Sequence, residues 1–399
     1  MKLPVVHLVT ERIGVAWQRM AATGAGTYAL WVVLAALIAH LGWAPGQEGS
    51  IFTFDAINYD DPQVLDAVES SSLLDLIAGT TYYAYKPIYF LSLKVDQWIG
   101  ALFGAHGAVM VGHVGNWLLH ALVAALLTIL VTDVFKQKWI GLAVGLLFAV
   151  HPVHVESVAW LAERKDSLSL AFALWAHLVY RWRREDGAGR FVAPAVWLLL
   201  GGLTKGTVWS YAGVIGIDEL LFQLRRDDRL DVGLAAKRLL PLALVAVGGV
   251  VLDGVIAATA GPGAVDHGVG TLQLVAAMSG VHLAYFLHVL VPTGLALDYA
   301  IDPAGSFGLT ALLGILLLVA AIALLVWSLR KRSLLGALAA SFWLFGLLPV
   351  NNIWPRTSVL MADRYLYIPA IGVYLIAAFG LSRSKWRAWI LGALVVLFG

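Results

Sequence analysis

The sequence predicts an all-helical polytopic membrane protein, and three observations carry that reading. Of its 399 residues, 60% are hydrophobic and only 13% charged, where a soluble globular domain carries about 25% charged. The mean hydropathy is +0.82. The apolar residues also come in long runs, and a helix needs about 20 of them to cross about 30 Å of hydrocarbon.

Those runs lie near 24–44, 107–132, 139–150 with its flank, 167–180, 191–204, 206–224, 239–260, 307–329, 334–349, 364–381 and 388–399. They predict about eleven crossing helices in a single transmembrane domain over residues 1–399. No soluble domain is visible. Leu30–Leu41 follows Lys2, Arg12 and Arg19, yet lacks a good cleavage pattern, so it reads as a retained first helix. The last run stops at Gly399, which reads as a chain cut within a span. There is no cysteine, so disulfides and thiolate metal sites are excluded. The net charge of +2 says nothing about partners, because the charges are segregated by side, and nothing points to nucleic acid.

Topology follows from where the basic residues fall. Lys2–Arg19, Lys136–Lys138, Arg181–Arg190, Arg225–Arg238, Arg330–Arg332 and Arg383–Arg387 alternate correctly if all are cytoplasmic and the apolar stretch 271–292 does not cross. That stretch is then expected to lie in, or re-enter from, the outer face. Lys86, Lys94, Arg164, Lys165, Lys205, Arg356 and Arg364 fall on the outer side, against the general bias. An anionic ligand there is the simplest reason. The first outer loop, about 45–105, is otherwise acidic, and Leu73–Ala78 and Ile88–Phe103 have the periodicity of interfacial helices. Gly261–Gly270 reads as a flexible loop.

Two stretches concentrate the charge: Phe54–Val64 (FDAINYDDPQV) and His151–Ser169 (HPVHVESVAWLAERKDSLS). An ionisable group at membrane depth costs about 2.5–3.5 kcal/mol on insertion scales, so such clusters predict a polar chamber at a membrane surface. Asp60 and Asp61 suit a general base, or an Asx-turn before Pro62. His151, His154 and Glu156 stand open between metal ligation, contacts to a substrate or phosphate, and an interface-anchoring turn. Arg164 matches a phosphate bidentately, Lys165 is placed to snorkel, and Asp166 to cap the next helix. Lys205 has no nearby acid in sequence, so it is expected to meet a phosphate or an acid from another helix. Asp363, Arg364 and Tyr365 open a span after Asn351, Asn352, Trp354 and Pro355. His113, Asn116 and His120 share a helix face and suit buried hydrogen bonding between helices. His282, Tyr285 and His288 have similar spacing and could reach a lipid phosphate.

Five motifs then occur in order: NYDDP, YYAYKPIYFLSL, HPVHVESVAWLAERKDSLS, LTKG and MADRYLYIPAIG. Together they resemble the membrane domain of the tetratricopeptide-repeat O-mannosyltransferase-like proteins and their bacterial relatives, over about 50–380. Those proteins have the C-type (GT-C) glycosyltransferase fold, as do the protein O-mannosyltransferases and the catalytic subunit of oligosaccharyltransferase. The resemblance implies an inverting glycosyltransferase with a polyprenyl-phosphate sugar donor, a protein hydroxyl acceptor and a site on the outer, periplasmic face of a bacterial inner membrane. It places the base at Asp60 or Asp61, the leaving phosphate at Arg164, Arg364 and Lys86, and the chamber wall at Asp363–Tyr365. A lipid or cell-envelope polysaccharide acceptor is the same-class alternative, and a lipid-linked sugar transporter or flippase the alternative of another class. A divalent cation, Mg²⁺ or Mn²⁺, would suit the carboxylates, though no ligand set is readable. Two departures stand out. Lys86 replaces the family's arginine and loses its fork, and no tetratricopeptide tail follows. No nucleotide-binding fingerprint occurs, which argues against a nucleotide-sugar donor.

Overall fold

A backbone N–H or C=O left unpaired in hydrocarbon costs several kcal/mol, and a helix satisfies both within one segment. The apolar runs accordingly form helices. The computed structural model describes residues 24–43, 60–82, 84–104, 106–185, 191–259, 265–305, 308–352 and 359–399. Lys2–Arg19, residues 54–59, Tyr83, Arg190, Gly261–Ala264, Trp354, Pro355, Arg356 and Ser358 lie outside them.

In chain order the helices are α1 (Ala25–Trp43), α2 (Asp61–Ser70), α3 (Leu73–Ala78), α4 (Pro87–Gly100), α5 (Gly107–Phe135), α6 (Lys138–Val150), α7 (Val155–Ala159), α8 (Arg164–Glu185) and α9 (Val192–Gly202). They continue as α10 (Tyr211–Arg226), α11 (Val232–Thr259), α12 (Thr271–Leu290), α13 (Leu309–Lys331), α14 (Leu334–Leu347), α15 (Ala370–Ser382) and α16 (Arg387–Phe398). Among the described residues there is no strand, only an isolated bridge between Thr81 and Ala84.

α5 is the central post. It packs on α1, α4, α6 and α8, and α6 in turn packs on α15. Small residues set the close approach of α5 and α6. A Cβ at Gly145 would fall 1.9 Å from the Thr128 hydroxyl oxygen, so the two backbones meet only because none is there. α11 and α13 instead expose most of their apolar surface, as helices facing lipid do.

Among the described residues, four helices are long and apolar enough to cross a membrane: α5, α11, α12 and α13. A fifth is obtained if α6 and the segment Pro152–Ala159, bent by 57°, form one span. Pro152 explains the bend, since it lacks the N–H that would continue the helix and crowds the preceding turn. The eleven expected crossings are not reached by length and composition. The other apolar helices come out at 10–17 residues, with α1 counted over Gly26–Ile38 and α14 together with its terminal 3₁₀ turn over Leu334–Val350. α8 has 22 residues but charged ends. The stretch 271–292, expected to avoid crossing, is one continuous 20-residue helix, α12. The two interfacial helices expected in the first outer loop fall on α3 and α4.

The ends of α8 carry two buried charge networks. Arg164 and Arg184 are separated by about 30 Å of helix, close to the thickness of a bilayer core. At the Arg184 end, Arg181 joins Asp133 of α5 (2.6 Å) to Asp218 of α10 (2.7 Å). His177 and Arg184 also reach Asp218, at 3.2 and 3.1 Å. Arg238 of α11 closes on Glu219 at 2.8 Å. These residues staple four helices together.

Candidate active site

The other network gathers most of the residues singled out in the sequence. Asp60 is the residue just before α2, with Pro62 in the first turn, and its side chain makes no capping bond. The Asx-turn role therefore does not describe it. Its Oδ1 is buried and accepts no well-formed hydrogen bond among the described residues. Burial pushes the Asp60 carboxyl up, and this outweighs the opposing pull of Lys165, the Trp160 indole and Arg364. Asp61 begins the helix and is 1% exposed. Its Oδ1 accepts the Ala162 N–H at 2.8 Å, tying α2 to the turn that precedes α8.

Glu163 lies at the centre. Its Oε1 is 3.1 Å from Lys165 Nζ and 3.4 Å from Arg364 Nε, and its Oε2 is 3.1 Å from Lys205 Nζ. Burial raises the Glu163 carboxyl, but Lys165, Lys205 and Arg364 together hold it well below the ordinary carboxylate range. Lys205 also binds Asp166 at 2.6 Å, so the acid it required comes from α8. Asp166 lies inside the first turn of α8 and accepts from the Ser157 hydroxyl at 3.2 Å. It pairs with a cation where the sequence suggests a helix cap, because α8 already begins at Arg164. Arg364 ion-pairs with Glu156, whose Oε2 accepts the Arg364 backbone N–H at 2.7 Å. The guanidinium also lies 5.2 Å from the Trp160 ring centroid and 5.1 Å from that of Tyr365.

Arg164 faces elsewhere. It donates to Asn116 Oδ1 (2.7 Å), Gly112 O (2.7 Å) and Ser92 O (3.3 Å), and ion-pairs with Asp96. Its side chain is 3% exposed. A Cβ at Gly115 would sit 2.6 Å from its guanidinium, so that glycine makes the room. Asn116 holds the next turn through Val158 O and Trp160 O, at 3.2 and 3.1 Å.

Lys86 precedes α4 and lies 3.7 Å from Asp253 of α11, which also accepts from the Trp209 indole at 2.9 Å. Burial pulls the Lys86 ammonium down; Asp253 raises it, and the nearby Lys165 and Lys205 lower it further. The two histidines make protein contacts. His151 donates to Val289 O at 3.0 Å and accepts from the Val153 N–H at 3.3 Å. His154 Nε2 meets the Tyr374 hydroxyl at 3.1 Å. Among the described residues no group of three or more His, Asp or Glu side chains is placed to hold a metal ion. Asp363 clasps the segment after α12. It pairs with His288 (3.1 Å) and accepts from the Ala296 N–H (2.9 Å) and the Tyr299 hydroxyl (2.7 Å). His120, on the face shared with Asn116, meets the Tyr367 hydroxyl at 2.7 Å.

Sequence reasoning missed three participants. Asp96 and Asp253 each interrupt an apolar helix, and that interruption was the available signal. Tyr89 is buried with its hydroxyl unpartnered among the described residues, close to Glu163, Asp60 and Asp61. Nothing in YYAYKPIYFLSL distinguishes it from its aromatic neighbours.

Fold and site together describe an all-helical integral membrane protein with a buried cluster of charged side chains at one end of α8. Comparison with known proteins agrees. The structure matches that of an oligosaccharyltransferase from Archaeoglobus fulgidus with a TM-score of 0.50 at 13% identity, over 92% of this chain and 54% of the other. In sequence the chain is similar to protein O-mannosyl-transferase TMTC4 of Mus musculus, 26% identical over 80% of this chain and 51% of the relative. It is also 34% identical to protein O-mannosyl-transferase Tmtc2 of Drosophila melanogaster, over 30% of this chain and 12% of the relative. The resemblance read from the five motifs is thus supported. The matched part is about half or less of each relative's own length. No family model matches the chain.

Proposed function

We propose that the chain is a glycosyltransferase that moves a sugar from a polyprenyl-phosphate donor to a protein hydroxyl at the outer, periplasmic membrane face. One observation carries the reading. Asp60 presents a buried oxygen without a well-formed bond, beside cations converging from separate elements: Lys165 of α8, Lys205 and Arg364. Lys86 is near enough to feel two of them. A base beside a cation cradle is what displacement of a sugar phosphate requires.

In the proposed step Asp60 accepts the proton of the acceptor hydroxyl. The hydroxyl oxygen forms a bond to the anomeric carbon from one face. The bond from that carbon to the phosphate oxygen breaks on the other, and its electron pair leaves with the phosphate. One displacement inverts the anomeric centre. Arg364, Lys165, Lys205 and Lys86 stabilise the departing charge. Asp61, bound to Ala162, and Arg164, bound to Asp96 and Asn116, position this machinery. His151, His154, Glu156, Asp363 and Tyr365 form its wall. The prenyl tail is assigned to an apolar cleft of about 330 Å³ between α12, α13 and α14, lined by Met278, Leu318, Ile322 and Trp343, with His282 and Asn351 at its polar edge. His282 and His288 are about 9 Å apart along α12, and His288 touches Asp363 beside Arg364.

The relatives' names, protein O-mannosyl-transferases, favour mannose and a Ser or Thr acceptor. Mass spectrometry of membrane proteins and glycolipids from cells with and without the gene tests this. Loss of hexose from protein Ser or Thr is expected. Loss from glycolipid alone would redirect the acceptor, and no change in either would remove the activity.

A further inference from the structure

Glu163 occupies the position that an anionic ligand should want. Its two oxygens reach three cations at 3.1, 3.4 and 3.1 Å, and its side chain is 4% exposed. Two of those cations hold a second acid: Lys205 keeps Asp166 and Arg364 keeps Glu156. Removing Glu163 would therefore leave the cradle standing. Lys165 has a different second neighbour, the Tyr89 ring, 5.8 Å away. Charge decides what can replace Glu163. Lys165, Lys205 and Arg364 face Glu156, Asp166 and Glu163, with Asp60 beside Lys165, so withdrawing Glu163 removes one negative charge that a singly charged ligand can restore. Asp253 is the acid beside Lys86.

We infer that Glu163 is a resident stand-in for the donor's phosphate, displaced when the donor binds and returning to expel the product. The inference rests on the phosphate reading above and adds to it the residue that governs entry and release. A sugar phosphodiester carries one negative charge, as Glu163 does, so the exchange conserves the charge of the cradle. The product is a phosphate monoester of charge about −1.5 to −2 at neutral pH. It overcharges the cradle once the carboxylate swings back, and leaves. Glu163 thereby favours the donor over the product.

The test is binding of farnesyl phosphate, a short prenyl phosphate, to the purified full-length protein in detergent, read by calorimetry beside steady-state transfer. Charge-assisted bonds are about twice as strong as neutral ones, so removing the competing carboxylate in Glu163→Gln should tighten binding about tenfold. Turnover should fall as release slows. Loss of structure would weaken binding, so tightening has no trivial cause. Glu163→Asp keeps the charge but cannot span three cations, and should tighten binding by less; it also carries the test if Glu163→Gln does not fold. Arg364→Gln should weaken binding. Weakening in Arg364→Gln without tightening in either Glu163 variant overturns the stand-in role and leaves the phosphate reading intact. Failure of the unaltered protein to bind farnesyl phosphate overturns both.

Discussion

Asp60 and Asp61 are neighbours in sequence with opposite surroundings, and the difference separates chemistry from architecture. Asp60→Asn should cut transfer by about 10²–10⁴-fold, the usual contribution of a general base. Burial raises the Asp60 carboxyl, so the charged form is disfavoured in the folded chain at any pH above that raised value. The cost is relieved as pH falls through it. Asp60→Asn removes the cost, so its thermal midpoint at neutral pH should equal or exceed that of the unaltered protein while transfer is lost. A midpoint well below would make Asp60 structural. For the same reason transfer should fall on acidification at a pH above the ordinary Asp value of about 4. Asp61→Asn should instead lower the midpoint, because the Ala162 N–H loses a charged acceptor. Arg164→Ala leaves Asp96 buried without its cation, a loss of about 3–5 kcal/mol, checked by thermal unfolding. From the sequence alone, NYDDP marked the pair without separating its members. Which carboxylate is tied to a backbone amide depends on Ala162, a hundred residues away, and Asp96 and Asn116, the partners of Arg164, lie on other helices where the sequence does not connect them to it.

Elements bring those distant residues together, and the break after α6 matters most. Pro152 turns the chain by 57°, so Glu156 and the Glu163–Asp166 run fold back toward Arg364 instead of continuing out of the membrane. The strap after α12 is held by the Asp363 carboxylate through Ala296, Tyr299 and His288. Asp363→Ala should release it, and hydrogen exchange should speed at the Ala296 amide by an order of magnitude or more, since one charge-assisted bond contributes about 1.5–3 kcal/mol. Exchange unchanged at Ala296 would show the strap to be held by other contacts. Helices α3 and α4 were legible as helices because their apolar faces repeat at helical spacing. The apolar stretch 271–292 was also legible and forms one continuous 20-residue helix, α12, long and apolar enough to cross, where the loop-charge rule, held by Arg330–Arg332, favours a segment that does not.

At the scale of the whole molecule, two buried charge networks lie about 30 Å apart along α8. The composition made a membrane bundle plain, and the ordered motifs indicated its fold. Neither revealed the network at Asp133, Arg181 and Asp218, because its members sit singly on three helices and look like ordinary basic and acidic loop ends. The chain has no cysteine, so single ones can be placed cleanly at exposed positions. Ser70→Cys should react with an impermeant thiol reagent in intact cells, and Arg229→Cys only after permeabilisation; the reverse would turn the chamber to the cytoplasm. The most direct measurement is transfer itself. Purified full-length protein in nanodiscs, given radiolabelled polyprenyl-phosphate mannose and a Ser/Thr peptide, should produce labelled peptide, and Asp60→Asn, folded, should not. Labelled peptide from Asp60→Asn at the unaltered rate, or none from the unaltered protein with any polyprenyl-phosphate sugar, would contradict the account.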